Sequence, residues 1–167
     1  VAIDEAPALY ALAATLPGIK VSGISMHIGS QLTSLDPFRA AFARARAFLE
    51  QLRADGFAID TLDIGGGLGV PYHEGAIPPS PAAYGALVAE SFAGLDVKLI
   101  LEPGRLIVGN AGIMVTKVIY VKQSARTYVI VDAAMNDLMR PALYEAHHDI
   151  VPVKETTAAP APVDVVG

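Results

Sequence analysis

Three runs rich in β-type residues, at 20–29, 59–65 and 97–104, alternate with helical patterns, and the segments joining them are too long for hairpins. Consecutive strands joined through helices pair in parallel with right-handed crossovers, which makes this part of the chain an α/β sheet or barrel. Three such units are too few to close a barrel by themselves. In the opening pattern, "DEAPALYALAATL" (4–16), the acids and Pro7 occupy the first turn, Leu9, Leu12 and Leu16 share one side, and Pro17-Gly18 stops the helix. The run "KVSGISMHIG" alternates Ile24, Met26 and Ile28 on one face with Val21, Gly23, Ser25 and His27 on the other. Asp36-Pro37 offers a helix cap and first residue. Phe38, Phe42, Ala45, Leu49 and Leu52 then recur at helical steps until Gly56, with Arg39, Arg46, Glu50 and Arg53 on the solvent side. A further helix is capped by Ser80-Pro81 and turns Tyr84, Leu87, Val88, Phe92 and Leu95 inward, with Gly94 weakening its end.

After about residue 110 the pattern changes. "GIMVTKVIYVKQSARTYVIVDA" holds two β-branched and aromatic runs around a polar turn at Gln123 to Arg126, an antiparallel hairpin signature. The expected division is therefore 1–109, the last units of a barrel, and 110–167, the start of an antiparallel β domain. Residues 152–162 read as an exposed loop and "VDVVG" as a further strand. No internal repeat at a fixed period is present.

Composition narrows the function classes. The chain is 53% hydrophobic, enough to bury a core, yet glycine, proline or charge interrupts every apolar run before a membrane span is reached. A net charge of -5 without clustered Lys or Arg removes the electrostatic footprint of a nucleic-acid binder. Absence of cysteine fits a reducing compartment, and a soluble cytoplasmic protein is the expectation.

The residues with chemical potential gather where the parallel strands end, which in α/β barrels is where sites are assembled. "LDIGGGLGV" (62–70) is the most unusual stretch. Its register does not match a dinucleotide fingerprint, since the sixth residue from Gly65 is Val70 and from Gly67 is Tyr72, and no Walker lysine follows. Two explanations stand: Gly65, Gly66 and Gly67 present bare amides to an anion, or they serve only a tight turn and close packing. His27 in "MHIGSQ" is either a structural strand-end histidine or part of a site, and Ser30 could donate to the same anion as the glycines. Glu102 in "LEPGR" ends a strand expected to be buried, so its carboxylate needs a partner. Arg105 is one candidate; a protonated ring nitrogen of a cofactor, with the amides of Gly104 and Arg105 near its phosphate, is the other.

The motifs "HIGSQ", "DIGGGLG", "EPGR" and "NDLMRPALY", in this order and spacing, resemble the diaminopimelate decarboxylases of the alanine racemase-like, fold type III group of pyridoxal 5'-phosphate enzymes. The first three motifs are shared with ornithine and arginine decarboxylases, whereas "RPALY" followed by "HH" is closer to the diaminopimelate branch. The resemblance implies a PLP-binding (β/α)8 barrel followed by a β domain, and a lyase that converts meso-2,6-diaminopimelate to L-lysine, the last step of lysine biosynthesis. It implies that His27 stacks on the pyridine ring, that Ser30, Gly65, Gly66, Gly67 and the Gly104-Arg105 backbone surround the phosphate, and that Glu102 keeps the ring nitrogen protonated. Arg105, Arg140 and Tyr144 would hold the distal carboxylate, a role that guanidinium forks suit. Asp132 either approaches the substrate or caps the following turn.

One departure from the family pattern is large. The lysine that attaches the cofactor has no counterpart here, because Lys20 and Lys98 start strands at the wrong end and Lys117, Lys122 and Lys154 fall after the barrel. The cysteine-acid motif and tyrosine with which the family completes its partner's site across a homodimer are likewise absent. The expectation is a segment of an enzyme, inactive alone and prone to aggregate through its open sheet edges. The alternatives are another basic amino-acid decarboxylase of the group, acting on ornithine, arginine or carboxynorspermidine, or a non-catalytic homologue; no metal is implied.

Overall fold

The computed structural model describes residues 1–72, 75, 77–157, 159 and 161–167. Its elements run α1 (Ala6–Thr15), β1 (Gly23–Ser25), α2 (Asp36–Ala54), β2 (Thr61–Asp63), α3 (Pro81–Ser91), β3 (Lys98–Ile100), α4 (Gly104–Val108), β4 (Val118–Gln123), β5 (Thr127–Val131), α5 (Arg140–Tyr144) and β6 (Asp164–Val166). They fall into two compact units, one built from Val1–Pro71 with Gly75–Ala111 and one built mainly from Gly112–Gly167.

In the first unit β1, β2 and β3 form a parallel sheet in that order, with Gly23, Thr61 and Lys98 in one row and Ser25, Asp63 and Ile100 in the row nearer the carboxyl ends. One face of this sheet meets the helices. Ile24, Leu62 and Ile64 join Phe38, Phe42, Leu49 and Leu52 of α2 and Tyr84, Leu87 and Val88 of α3 in a common core. The α2 stripe is the one the spacing predicts, and four of its members, Phe38, Phe42, Leu49 and Leu52, have no exposed surface. Aromatic contacts join the two helices: the Phe38 and Tyr84 rings meet edge-on at 5.0 Å, and Phe42 meets Phe92, just past the end of α3, tilted at 5.2 Å.

Several local expectations need correction. On α1 the inward stripe is Ala6, Tyr10 and Ala13, while Leu9, Leu12 and Leu16 are exposed. Tyr10 packs its ring edge-on against Phe48 and Phe57 and its hydroxyl donates to the Gly23 carbonyl at 2.7 Å, a partner no leucine could use. The start of α2 is preceded by Leu35, and the amide of Asp36 is held by the Ser34 hydroxyl; Asp36 lies within the helix. By contrast Ser80 caps α3 as anticipated, accepting from the Ala83 amide at 3.1 Å. Arg46 and Arg53 are not merely solvated, since Arg46 donates to the Ser91 and Ala93 carbonyls and Arg53 to those of Ile59 and Asp96. They tie the end of α3 and the entry of β3 to α2.

In the second unit β4 and β5 form the anticipated hairpin, with an irregularity between Val118 and Tyr120, but β6 pairs with β5 in parallel. The sheet is mixed, not purely antiparallel as the sequence suggested. The long connection from 132 to 163 is the reason: it spans a crossover distance that a two-residue turn cannot. Asp132 does not cap the turn that follows it. Its carboxylate accepts from the Thr116 hydroxyl and the Lys117 amide, both at 2.7 Å, and these bonds, the backbone one foremost, hold its pKa below the ordinary aspartate value. The turn is instead capped by Asp137, which accepts from the Ala134 amide. Among the described residues no helix is long and apolar enough to cross a membrane.

Candidate active site

Because the three parallel strands share one register, their carboxyl ends lie level. Two residues beyond the row of Ser25, Asp63 and Ile100 stand His27, Gly65 and Glu102. Pairing continues past the strands through Met26 N–H to the Asp63 carbonyl (3.0 Å), Ile64 N–H to Ile100 (3.0 Å) and Glu102 N–H to Gly65 (2.9 Å). The central strand end is therefore clasped on both sides.

The glycines are what this closeness requires. A β-carbon at Gly65 would collide with the Met26 carbonyl and lie 3.3 Å from the His27 Cα; one at Gly66 would collide with the Glu102 carbonyl, and one at Gly67 with that of Gly29. Gly65 and Gly67 also hold left-handed backbone, at φ +67° and +101°, which other residues adopt only with strain. Adjacent glycines thus touch the strand ends that carry His27 and Glu102, and the third touches the residue before Ser30. Close packing explains their lack of side chains, but not their amides. Gly65 donates to the Asp63 carboxylate at 2.9 Å, whereas the amides of Gly66 and Gly67 have no acceptor among the described residues. Gly66 is buried. Buried backbone donors are almost always paired, so an unpaired one at this strand end is available to an acceptor from outside the described residues.

Glu102 is exposed, contrary to the burial its apolar strand suggests, because the face of the sheet opposite the helices carries it. It needs no internal counter-ion there, and among the described residues no ion pair joins it to Arg105. Instead Arg105, half-buried near the start of α4, donates from Nη1 to the Gln31 Oε1 at 3.1 Å. Gln31 also donates from Nε2 to the Val70 carbonyl (2.6 Å) and accepts from the Val70 amide at Oε1 (3.2 Å). The amide of Gly104 is engaged by the Glu102 carbonyl at 2.7 Å, and the space its missing β-carbon would take is open. His27 and Ser30 are exposed.

The second unit brings Arg140 and Tyr144 together at the two ends of α5. The guanidinium carbon of Arg140 stands 5.8 Å from the Tyr144 ring centroid, within cation–π range, and Nη2 reaches the Tyr72 hydroxyl at 3.4 Å. Gln31 and Tyr72 are the neighbours that motif reading passed over. Gln31 lay inside a quoted motif and, as a non-glycine residue, sits at φ +57°, a conformation no sequence pattern announces.

Residues 1–109 match the family model described as "Pyridoxal-dependent decarboxylase, pyridoxal binding domain". The chain belongs to the pyridoxal-dependent decarboxylases. Across its full length it is 48% identical to the diaminopimelate decarboxylase of Pseudomonas aeruginosa, of which it covers 40%. It superposes over its whole length on a crystal structure from Aquifex aeolicus (TM-score 0.95, 41% identity, 42% of that chain) and on diaminopimelate decarboxylase from Helicobacter pylori complexed with L-lysine (TM-score 0.91, 36% identity, 41% of that chain). The chain thus spans about two-fifths of the relatives it matches. For a pyridoxal-dependent decarboxylase the strand-end row is chemically apt: an imidazole and a carboxylate stand on the strands either side of the glycine turn, and open amides follow for a phosphate. The residues present fit pyridoxal 5'-phosphate.

Proposed function

We propose that this chain is part of a PLP-dependent diaminopimelate decarboxylase, contributing the last strand–helix units of its (β/α)8 barrel (1–109) and the start of its β domain (110–167). The observation that carries the reading is the triglycine: it packs against the strand ends bearing His27 and Glu102 while the Gly66 and Gly67 amides remain open to an anion. Forty-eight percent identity to a diaminopimelate decarboxylase supports the substrate.

When bound, the cofactor supplies an electron sink for the pair of electrons left as CO2 departs. The chain's own residues set the conditions for this. Glu102 accepts a hydrogen bond from the ring nitrogen and holds the proton there, since a carboxylate makes the protonated form the favoured one. His27 would stack on one face of the ring. The Gly66 and Gly67 amides, with Gly65 shaping the turn, the Ser30 hydroxyl and the backbone of Arg105 bind the phosphate oxygens, a use of oriented N–H groups that needs no cationic side chain, while Gly104, its amide held by the Glu102 carbonyl, contributes only the open approach its missing β-carbon leaves. Arg140 with Tyr144 beside it binds the distal carboxylate and thereby selects a substrate that has one, and Arg105 carries the same chemistry. A cytoplasmic homodimer belongs to the same proposal; sedimentation of the full-length protein tests the dimer.

The substrate assignment is tested in the full-length protein by Arg140→Ala. Loss of a charge-assisted pair predicts a rise in KM for diaminopimelate on the order of tenfold to a hundredfold. An unchanged KM would overturn it.

A further inference from the structure

Aspartate is disfavoured in strands, yet Asp63 closes β2, placed between the buried Leu62 and Ile64 and so on the face opposite the helices. Its main-chain carbonyl keeps the parallel ladder with β1, accepting from the Met26 amide at 3.0 Å. The next rung of that ladder would send the Gly65 amide to the Met26 carbonyl. Among the described residues this rung is absent. The Gly65 amide donates instead to Oδ1 of Asp63, two residues earlier, at 2.9 Å, and Gly65 turns left-handed at φ +67°. The other carboxylate oxygen is tied back to β1, accepting from the Ser25 hydroxyl at 3.3 Å.

The two peptide planes on either side of Gly65 are thus held by different partners. The plane before it is held at its N–H by Asp63; the plane after it is held at its oxygen, which accepts from the Glu102 amide at 2.9 Å. In a trans peptide the N–H and C=O point opposite ways, so an oxygen turned toward Glu102 turns the Gly66 amide away from it. With both planes fixed, Gly65 loses the freedom to swing that glycine otherwise has. We propose that Asp63 is a positioning residue for the cofactor phosphate: its carboxylate draws the Gly65 amide out of the sheet ladder and thereby aims the open Gly66 and Gly67 amides at one anion. The inference rests on the reading that those two amides bind the phosphate, and adds which side chain sets their direction. It also removes the Gly65 amide from the phosphate donors, since Asp63 engages it.

The test titrates full-length apoenzyme by calorimetry with pyridoxal 5'-phosphate and with pyridoxal, the same ring without the phosphate. Asp63→Ala is expected to weaken pyridoxal 5'-phosphate binding by about tenfold and to leave pyridoxal binding little changed, so the preference for the phosphorylated ring falls by the same factor. Asp63→Asn keeps an acceptor oxygen in place and should retain the preference. Asp63→Glu keeps the charge but moves the acceptor by one methylene, and should lose it. Should the alanine variant fail to fold, the asparagine and glutamate variants decide the matter by the same comparison. Equal weakening of both ligands, an unchanged preference in Asp63→Ala or Asp63→Glu, or an asparagine variant that loses the preference overturns the proposal. If Gly66→Ala leaves the preference unchanged, the underlying reading of the glycine amides fails instead, so the two failures are distinct.

Discussion

At the scale of single residues, the site is governed by what is missing from the main chain. Gly66 cannot carry a β-carbon without pushing the Glu102 carbonyl away, so Gly66→Ala acts on two groups at once: it disturbs the strand end bearing Glu102 and re-aims an open amide. The expected outcome in the full-length protein is at least about a tenfold loss of cofactor affinity, a floor set by one backbone hydrogen bond to a charged oxygen, measured by titrating apoenzyme with pyridoxal phosphate. Asp132 gives a second residue-scale prediction. Its pKa is lowered by the Lys117 amide and the Thr116 hydroxyl, so its contribution to stability is present above the ordinary aspartate pKa near about 3.9 and is lost as pH falls through the depressed folded value. Asp132→Asn should therefore be less stable than the parent near neutrality, with the difference closing in acid, as followed by denaturant unfolding at several pH values. The motifs pointed to His27, Glu102 and the glycines. They could not reveal that Glu102 is exposed, that Asp132 bonds to Thr116 and Lys117 just ahead of β4, or that Gln31 bridges to Arg105, because each depends on segments distant in sequence.

At the scale of elements, α2 is the principal support of the first sheet. Leu49 has no exposed surface, and Leu49→Ala is expected to cost about 2–5 kcal/mol through lost burial and the cavity left behind, measured by chemical denaturation of the full-length protein. Ser80→Ala, which removes the α3 cap, should cost about 1 kcal/mol. The α2 and α3 stripes were legible because a strongly periodic apolar pattern on a helix has one side to bury. The α1 stripe was misread because leucine and alanine both count as apolar, and what decided between neighbouring stripes was Tyr10, whose ring meets Phe48 and Phe57 and whose hydroxyl finds the Gly23 carbonyl. Likewise a hairpin can be read from adjacent runs, while the parallel pairing of β6 depends on a strand reached only after a long crossover.

At the scale of the whole molecule, the apolar side chains of β4 and its approach are exposed, Ile113 at 91% and Ile119 at 64% among them, and the chain spans about two-fifths of its relatives. Exposed apolar surface of this extent favours association. Residues 1–167 expressed alone should bind a hydrophobic dye and self-associate with increasing concentration, whereas the full-length protein should do so much less; light scattering and dye fluorescence compare them. By itself the amino-acid sequence determined the parallel α/β order, the buried stripes of α2 and α3, and the chemical nature of the strand-end residues, because these follow from local periodicity and from residue types. The tertiary structure alone decided the common register that sets His27, Gly65 and Glu102 level, which glycine amides are left open, and which oxygen holds Arg105. Those are contacts between segments dozens of residues apart, fixed by how close three backbones approach, and local patterns carry no measure of that distance.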